Sequence, residues 1–223
     1  MKLYMHPVST TSRPVMLFAK LANVPLELVV VDLMKGEHHG PDFVRLNPNK
    51  KVPVLDDGGF LLTESSAIIK YLADKAGSPL YPKDLKERAR VNERMDWFNT
   101  DFYRDWGYNL TYPQIFPHHA RQTDDVTKAT IEWGRGRSAD ALALLDKEIL
   151  GSKPFVCGDT MTIADVLGAQ FISLGEVLRV DFGKYPNVKR WLERMKALPA
   201  WKEINVAHEG FAAAMAEKPL VAV

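Results

Sequence analysis

The first third of the chain alternates short apolar runs with one helical pattern. The segments "KLYM" (2–5) and "LELVVVDL" (26–33) are rich in aliphatic and β-branched residues, which is typical of buried strands. Between them "RPVMLFAKLA" (13–22) carries its apolar residues at helical spacing and stops at "NVP". A strand, a helix and a strand in this order predict a parallel pair of strands.

A hairpin and a second helix follow a polar stretch, "MKGEHHGPDF" (34–43), which we predict to be a loop. "VPVL" and "FLLT" flank "DDGG" (56–59), and glycine and aspartate tolerate the positive φ of a tight turn. "ESSAIIKYLADKAG" (64–77) predicts a helix capped by Ser65 or a neighbour and stopped by Gly77. Residues 1–77 are therefore predicted to form a βαβ unit, a connection and a ββα unit.

The pattern changes after "SPLYPKD", where two prolines in seven residues indicate a linker, placed at 78–86. From there to the end the apolar residues follow helical spacing and no alternation of period two is found. In "GDTMTIADV", Thr162 and Asp165 have the spacing of a capping box, which predicts a structural role for Asp165. The fold class is therefore an α+β domain (1–77) followed by an all-α helical bundle (87–223).

Composition and charge narrow the classes of function. Hydrophobic residues make up 46% and charged residues 26% of the 223, with a net charge of +1 and no basic run, so we expect no nucleic-acid or membrane partner. The first apolar run ends at His6 and Pro7, too early for a secretory signal, and no run is long enough to span a bilayer. Cys157 stands alone, so no disulfide forms within the chain. We expect a soluble, cytoplasmic protein.

Four hydroxyl side chains in a row, in "HPVSTTSRPV" (6–15), fall in the predicted loop between the first strand and the first helix. Ligands of open α/β sheets bind at the carboxyl ends of strands, where a helix N-terminus favours an anion. Ser12 or Thr11 is well placed to cap the helix, which leaves Ser9 free to donate to an anion such as a thiolate. The alternative is that all four serve only as loop and cap residues.

Two more segments have the chemistry of a peptide-like ligand site. In "NKKVPVL" a cis Val52–Pro53 bond would turn the Val52 amide and carbonyl outward, although trans is the commoner isomer. In "TESSAI" Glu64 is suited to an ammonium group, and the Ser65 hydroxyl and amide to a carboxylate. The alternative for the second segment is an ordinary helix cap.

These pieces, in this order and spacing, resemble the glutathione transferase family, and most of all its theta class and bacterial relatives, which use a serine. The resemblance covers nearly the whole chain and implies a thioredoxin-like fold for the first domain. Its motifs map onto Ser9, Ser12 and Arg13, onto His38 after lysine-glycine-x, onto residues 47–55 ("NPNKKVPVL"), and onto Glu64 and Ser65.

The resemblance also implies a function. Glutathione would be the co-substrate, with no other cofactor and no metal, and a hydrophobic electrophile would be the acceptor. The enzyme would be a homodimer. Ser9 would be catalytic as a hydrogen-bond donor to the glutathione thiolate. Glutathione would be bound by Ser12, His38, Lys51, Val52, Pro53, Glu64 and Ser65. The electrophile would be bound by Trp106, Tyr108, Tyr112 and Phe211.

Some alternatives stay open at this point. Thr10, Thr11 and Ser12 compete with Ser9 for the place beside the sulfur, and His39 competes with His38. A non-catalytic glutathione-binding or scaffolding protein of the same fold is possible, as is a glutathione-dependent peroxidase or isomerase. A disulfide reductase is disfavoured, because it would need a cysteine where the serines stand.

Overall fold

The computed structural model describes all 223 residues, and its N-terminal domain is built on a four-stranded sheet in the order β2-β1-β3-β4. β1 pairs in parallel with β2, while β1 with β3 and β3 with β4 are antiparallel. The parallel pair and the hairpin predicted from the sequence are therefore confirmed. The strands are β1 (Lys2–Met5), β2 (Glu27–Val30), β3 (Val54–Asp57) and β4 (Phe60–Leu62).

Three helices cover the two faces of this sheet: α1 (Ser12–Leu21), α2 (Pro41–Leu46) and α3 (Ser65–Lys75). α1 and α3 bury their apolar residues with Leu3 and Leu55 in the main core. The other face carries a small cluster of Val31, Phe43, Val52 and Val54, to which α2 contributes Phe43. The prediction of a loop through this region was wrong at its end, because a proline in the first helical turn starts a short helix there.

The helical domain begins with a long helix that changes its winding. α4 (Leu85–Trp97) continues through two π-helical segments, Phe98–Phe102 and Arg104–Thr111, into α5 (Tyr112–Ile115). The remaining helices are α6 (Asp124–Leu144), α7 (Ile163–Ile172), α8 (Pro186–Lys196) and α9 (Pro199–Ala214). The predicted all-helical second half is confirmed, whereas the π-helical winding was not predicted.

One continuous apolar core joins the two domains. It contains 41 buried residues, from Leu3 in β1 to Ile204 in α9, and α1 packs on both α7 and α9. α1 is therefore held by both domains, which fixes the position of its N-terminus relative to the helical domain. No helix of the chain has the length and apolar character that crossing a bilayer requires.

The predicted helix ends are confirmed in part. The capping box of α7 is present, and the Asp165 carboxylate also accepts from the Val156 amide and from Trp191 Nε1. The hairpin turn uses Gly58 and Gly59 at positive φ, as predicted. At α3 the N-cap is Glu64, a neighbour of Ser65 as the prediction allowed, but no side chain caps the helix; Gly77 follows the helix at positive φ, as predicted.

Candidate functional site

A cavity of about 720 Å³ lies between the two domains. Its polar wall comes from the N-terminal domain, at the start of α1, the segment before β3 and the start of α3. Its opposite wall comes from the π-helical segment, α5, the residues after it and α9. Of the residues predicted to bind glutathione, the cavity is lined by Ser9, His38, Lys51, Val52, Pro53, Glu64 and Ser65.

The start of α1 carries a chain of hydrogen bonds that passes through two hydroxyl groups. Ser9 Oγ accepts from the Ser12 amide at 3.2 Å and lies 3.2 Å from Thr11 Oγ1. Thr11 Oγ1 donates to the Val52 carbonyl at 3.0 Å. Because a hydroxyl has a single proton, Thr11 has none left for Ser9, so Ser9 is the donor in the contact between them.

The other two hydroxyls of this stretch are engaged elsewhere. Thr10 Oγ1 accepts from the Tyr112 hydroxyl at 3.0 Å, which joins the two walls of the cavity. Ser12 is fully buried, does not line the cavity, and accepts from the His6 amide at 3.4 Å. The prediction that Ser12 contacts glutathione was therefore wrong: its hydroxyl closes the loop behind Ser9.

The helix cap also differs from the one predicted. Neither Thr11 nor Ser12 caps α1 with its side chain; the hydroxyl that accepts a first-turn amide is that of Ser9. No group of the chain accepts from the amides of Thr10 and Thr11. Unpaired amides at a helix N-terminus, together with the helix dipole, favour an anion beside them. Ser9 therefore lies where a negative charge is stabilised.

The segment before β3 is shaped by a buried asparagine. Asn47 Nδ2 donates to the Lys51 carbonyl at 2.7 Å, and Asn47 Oδ1 accepts from the Asn49 amide at 3.0 Å. The Val52–Pro53 peptide bond that follows is cis, the isomer that the sequence left open. The Val52 amide has no partner in the chain, and Val52 lines the cavity. A peptide-like ligand therefore finds a free backbone donor at this point.

His38 and Lys51 both line the cavity. The Nδ1 atom of His38 is buried without a hydrogen-bond partner, and burial, with smaller contributions from His39 and His118, lowers the pKa of its ring. Lys51 Nζ lies 5.7 Å from the centre of the Tyr108 ring. His39 lines the cavity as well, so position alone does not separate the two histidines.

Glu64 and Ser65 line the cavity at the start of α3. Glu64 has φ of 65°, a left-handed conformation that non-glycine residues rarely adopt and that tends to occur at functional sites. Ser65 is buried and is the first residue of the helix. A carboxylate and a helix N-terminus side by side are complementary to the ammonium and carboxylate of an amino-acid head group.

The wall from the helical domain is aromatic. Tyr108, Tyr112 and Phe211 line the cavity, as expected for an acceptor pocket. Trp106 does not: it is completely buried, and its Nε1 donates to the Phe171 carbonyl at 2.9 Å. The prediction that Trp106 contacts the acceptor was therefore wrong, because this side chain belongs to the core of the helical domain.

Sequence reasoning missed several residues of this wall, and the π-helical winding explains one of them. Tyr103 and Tyr108 are five residues apart, and a segment with i→i+5 hydrogen bonds brings them together, with ring centres 5.5 Å apart. The Tyr103 hydroxyl also contacts that of Tyr112, and burial raises the pKa of Tyr112 to about 12. The other missed residues of this wall are Asn99, Ile115, Phe116, His118, His119, Leu174 and His208.

His208 and Arg13 are buried polar residues where the domains meet. His208 Nε2 lies 3.1 Å from the Ser173 carbonyl, and burial lowers the pKa of its ring to about 3. Arg13 is completely buried and donates to Gln170 Oε1, Ser173 Oγ and Asn205 Oδ1. Burial lowers the pKa of Arg13 to about 10, so the guanidinium is still charged at neutral pH.

Comparison with known proteins agrees with the two-domain fold. The models "Glutathione S-transferase, N-terminal domain" and "Glutathione S-transferase, C-terminal domain" match residues 1–74 and 112–199. Human glutathione S-transferase theta-2 is 36% identical over 214 residues, which are 93% of this chain and 85% of the relative.

Solved structures are similar over the whole chain. Human glutathione transferase theta-2, solved in complex with glutathione and an unknown ligand, gives a TM-score of 0.86 at 34% identity, with 99% of this chain and 92% of that one covered. A delta-class glutathione transferase of Nilaparvata lugens gives 0.80 at 37% identity, with 96% and 99% covered.

Proposed function

Because this chain belongs to the glutathione S-transferase family, we propose that it joins the sulfur of glutathione to an electrophilic carbon of a hydrophobic compound. The polar wall of the cavity binds and ionises glutathione, and the aromatic wall binds the acceptor. The cavity between the domains brings the two reactants together, and holding two reactants in contact contributes several kcal/mol to lowering the barrier.

Glutathione lies along the polar wall in an extended form. Its γ-glutamyl head group binds at Glu64 and Ser65, and the backbone of its cysteine pairs with Val52 beside Pro53. Its glycine carboxylate meets Lys51 and the unpartnered Nδ1 of His38. This assignment is supported by the free Val52 amide and by the buried, unpartnered histidine nitrogen. It places the sulfur of the cysteine near the start of α1.

Ser9 is the residue that stabilises the thiolate. The observations that support this assignment lie at the start of α1: Ser9 lines the cavity and its Oγ accepts from the first-turn Ser12 amide, whereas Thr11 gives its proton to the Val52 carbonyl, Thr10 is bonded to Tyr112 and Ser12 is buried. Ser9 donates to the sulfur and acts neither as a base nor as a nucleophile.

A hydrogen bond from Ser9 and the start of α1 together supply enough energy to ionise the glutathione thiol near neutral pH. A free thiol has a pKa of about 8.5, and lowering it by about two units requires roughly 2.7 kcal/mol of preferential stabilisation of the anion. A hydrogen bond to a charged group contributes roughly 1.5–3 kcal/mol. The start of a helix adds about 0.3–1 kcal/mol, here with the unpaired Thr10 and Thr11 amides.

The reaction is a displacement at carbon. The thiol proton leaves to water, the thiolate forms a carbon–sulfur bond, and the bond to the leaving group breaks with its electron pair, so that a halide departs as an anion. Tyr108, Tyr112 and Phe211 bind the acceptor, together with Tyr103 and Phe116. Their stacked and edge-to-face rings favour a planar or aromatic compound.

The assembly and the domain division are parts of the same proposal. We expect a cytoplasmic homodimer, as the resemblance to this family implies. We place the division at residue 77 with a linker at 78–86; no helix or strand lies between the end of α3 at Lys75 and Leu85, and the last two residues of the linker form the start of α4.

The experiment is conjugation of glutathione to chlorodinitrobenzene by the wild-type enzyme and by Ser9→Ala. At a pH well below the expected pKa of the bound thiol, the substitution should lower kcat/KM by about 100-fold, the equivalent of the two pKa units, while calorimetry at the same pH finds nearly unchanged glutathione binding. Thr10→Val removes a rival hydroxyl and should cost far less.

Other results of these assays would contradict the proposal and indicate a different function or a different donor. Glutathione binding without turnover of any electrophile would make the protein a binding or scaffolding member of the fold. Faster reduction of cumene hydroperoxide than conjugation would indicate a peroxidase. A loss of activity in Thr10→Val with none in Ser9→Ala would show that Thr10, and not Ser9, donates to the sulfur.

A further inference from the structure

We propose that Thr11 is a positioning residue whose hydroxyl switches its donor bond between the Val52 carbonyl and Ser9 when glutathione ionises. The inference rests on the function proposed above and deepens it, since it concerns how Ser9 becomes a strong donor. Thr11 lies between the two groups on which the chemistry depends, the Ser9 hydroxyl and the backbone of Val52.

Without glutathione, the hydrogen bonds run in one direction. The Ser12 amide donates to Ser9, Ser9 donates to Thr11, and Thr11 donates to the Val52 carbonyl, over distances of 3.2, 3.2 and 3.0 Å. Both hydroxyl protons, that of Ser9 and that of Thr11, are therefore already in hydrogen bonds. A Ser9 hydroxyl in this state has no proton available for sulfur unless its bond to Thr11 is given up.

A bound thiolate reverses the direction of the hydrogen bond between the two hydroxyls. Ser9 turns its proton to the sulfur. Thr11 Oγ1 stays within hydrogen-bonding distance of Ser9 Oγ and turns its own proton from the Val52 carbonyl to Ser9 Oγ. The Val52 carbonyl is then free to accept from the cysteine amide of glutathione. No bond is lost in the exchange: each hydroxyl donates once before and once after.

The reversed chain makes Ser9 a better donor. In that state Ser9 Oγ accepts from both the Ser12 amide and Thr11, and each accepted bond polarises its own O–H group toward the thiolate. Formation of the thiolate is thereby coupled to release of the Val52 carbonyl, so the sulfur and the cysteine backbone of glutathione bind cooperatively.

The test compares Thr11→Val, which keeps the shape and removes the hydroxyl, with Thr11→Ser, which keeps the hydroxyl. The pKa of bound glutathione is read from the ultraviolet absorbance of the thiolate. Thr11→Val should raise this pKa by about 0.5 units, a roughly threefold loss of thiolate below the pKa, and Thr11→Ser should restore it. If Thr11→Val folds poorly, Thr11→Ala serves in its place.

A thioether ligand separates the switch from a structural role. S-methylglutathione has no ionisable thiol, so its affinity should change by less than about twofold in Thr11→Val, whereas a general distortion of the site would weaken it as well. An unchanged thiol pKa in Thr11→Val, or a parallel loss of S-methylglutathione binding, would overturn the proposal.

The role of Ser9 itself is measured separately. If Ser9→Ala leaves the pKa of the bound thiol low, the proposed function fails. If Ser9→Ala raises it and Thr11→Val does not, Ser9 keeps its role and only the switch is wrong.

Discussion

The two walls of the cavity are built in different ways. The polar wall consists of side chains and amides at the ends of strands and the starts of helices, where sequence neighbours such as Ser9, Thr10 and Thr11 lie within one turn of each other. The aromatic wall combines side chains from α9 and the segment after α5 with side chains from the middle of a long helix, where the winding decides which ones face the ligand. Chemistry at element ends is visible in the sequence, whereas chemistry on a helix face depends on its exact geometry.

The largest expected effect on stability comes from removing the hydrogen bonds by which Arg13 of α1 holds the helical domain. Replacing this buried guanidinium by leucine leaves three side-chain acceptors in the helical domain without a donor. Arg13→Leu should lower the free energy of unfolding by about 3–4 kcal/mol, measured by urea denaturation. Activity at a temperature where the variant is folded should fall as well, because Arg13 lies in the first turn of α1 and Ser9 is bonded to the amide of Ser12, the residue before Arg13.

The matched control is an arginine on the surface. Arg45 is exposed and pairs only with Asp42 in its own helix, so Arg45→Leu should change stability by less than about 0.5 kcal/mol. Equal losses of unfolding free energy in the two variants would mean that the Arg13 hydrogen bonds do not hold the two domains together.

An intermediate effect is expected from acid, through a buried histidine of the aromatic wall. His208 is packed among Arg13, Lys196 and Glu176, and burial lowers its pKa from 6.5 to about 3. Below pH 6.5 the unfolded chain binds a proton that the folded chain does not bind until about pH 3, so stability falls as the pH is lowered through this window. Between pH 7.5 and pH 5 the loss from His208 should be about 2 kcal/mol.

Urea denaturation of the wild type and of His208→Gln at both pH values measures this contribution. Glutamine keeps a donor for the Ser173 carbonyl and does not titrate. The wild type should lose about 2 kcal/mol more than the variant on acidification. An equal loss would assign the pH dependence to other groups, such as His119, whose pKa burial lowers to about 4.

The smallest effect distinguishes the aromatic wall from the core behind it. Phe211 stacks on Phe116 across the cavity lining, with ring centres 6.3 Å apart. Phe211→Leu should raise the KM for chlorodinitrobenzene roughly threefold to tenfold, the value of one aromatic contact, and leave the KM for glutathione unchanged.

Trp106→Phe is the counterpart in the core. It should lower stability without changing the KM for the acceptor, because Trp106 does not reach the cavity. A changed acceptor KM in Trp106→Phe, with none in Phe211→Leu, would reverse the assignment of these two side chains.

Most of the residues that the sequence predicted for the polar wall do line the cavity. Seven of its predicted residues line the cavity, and Ser12 is the exception, because a hydroxyl that points into its own loop has the same sequence signal as one that points outward. The sequence could not decide whether the Val52–Pro53 bond is cis, since both isomers are compatible with the same residues.

The aromatic wall was predicted less well for a physical reason. A helical pattern analysed with i→i+4 bonds assigns faces incorrectly once the chain adopts i→i+5 bonds, as it does over Arg104–Thr111. The resemblance to the family pointed only to an aromatic-rich segment of the first long helix, so Trp106 was predicted to face the acceptor and Tyr103 was overlooked. The partners of Arg13 lie more than 150 residues away, a contact that no local pattern reveals.

The most direct test of the central claim is a spectroscopic titration of glutathione bound to the wild type and to Ser9→Ala. We predict a thiol pKa near 6.5 in the wild-type complex, about two units below that of free glutathione, and a value close to the free one in Ser9→Ala. A bound thiol that ionises no more readily than free glutathione, or one that ionises equally well without the Ser9 hydroxyl, would contradict the account.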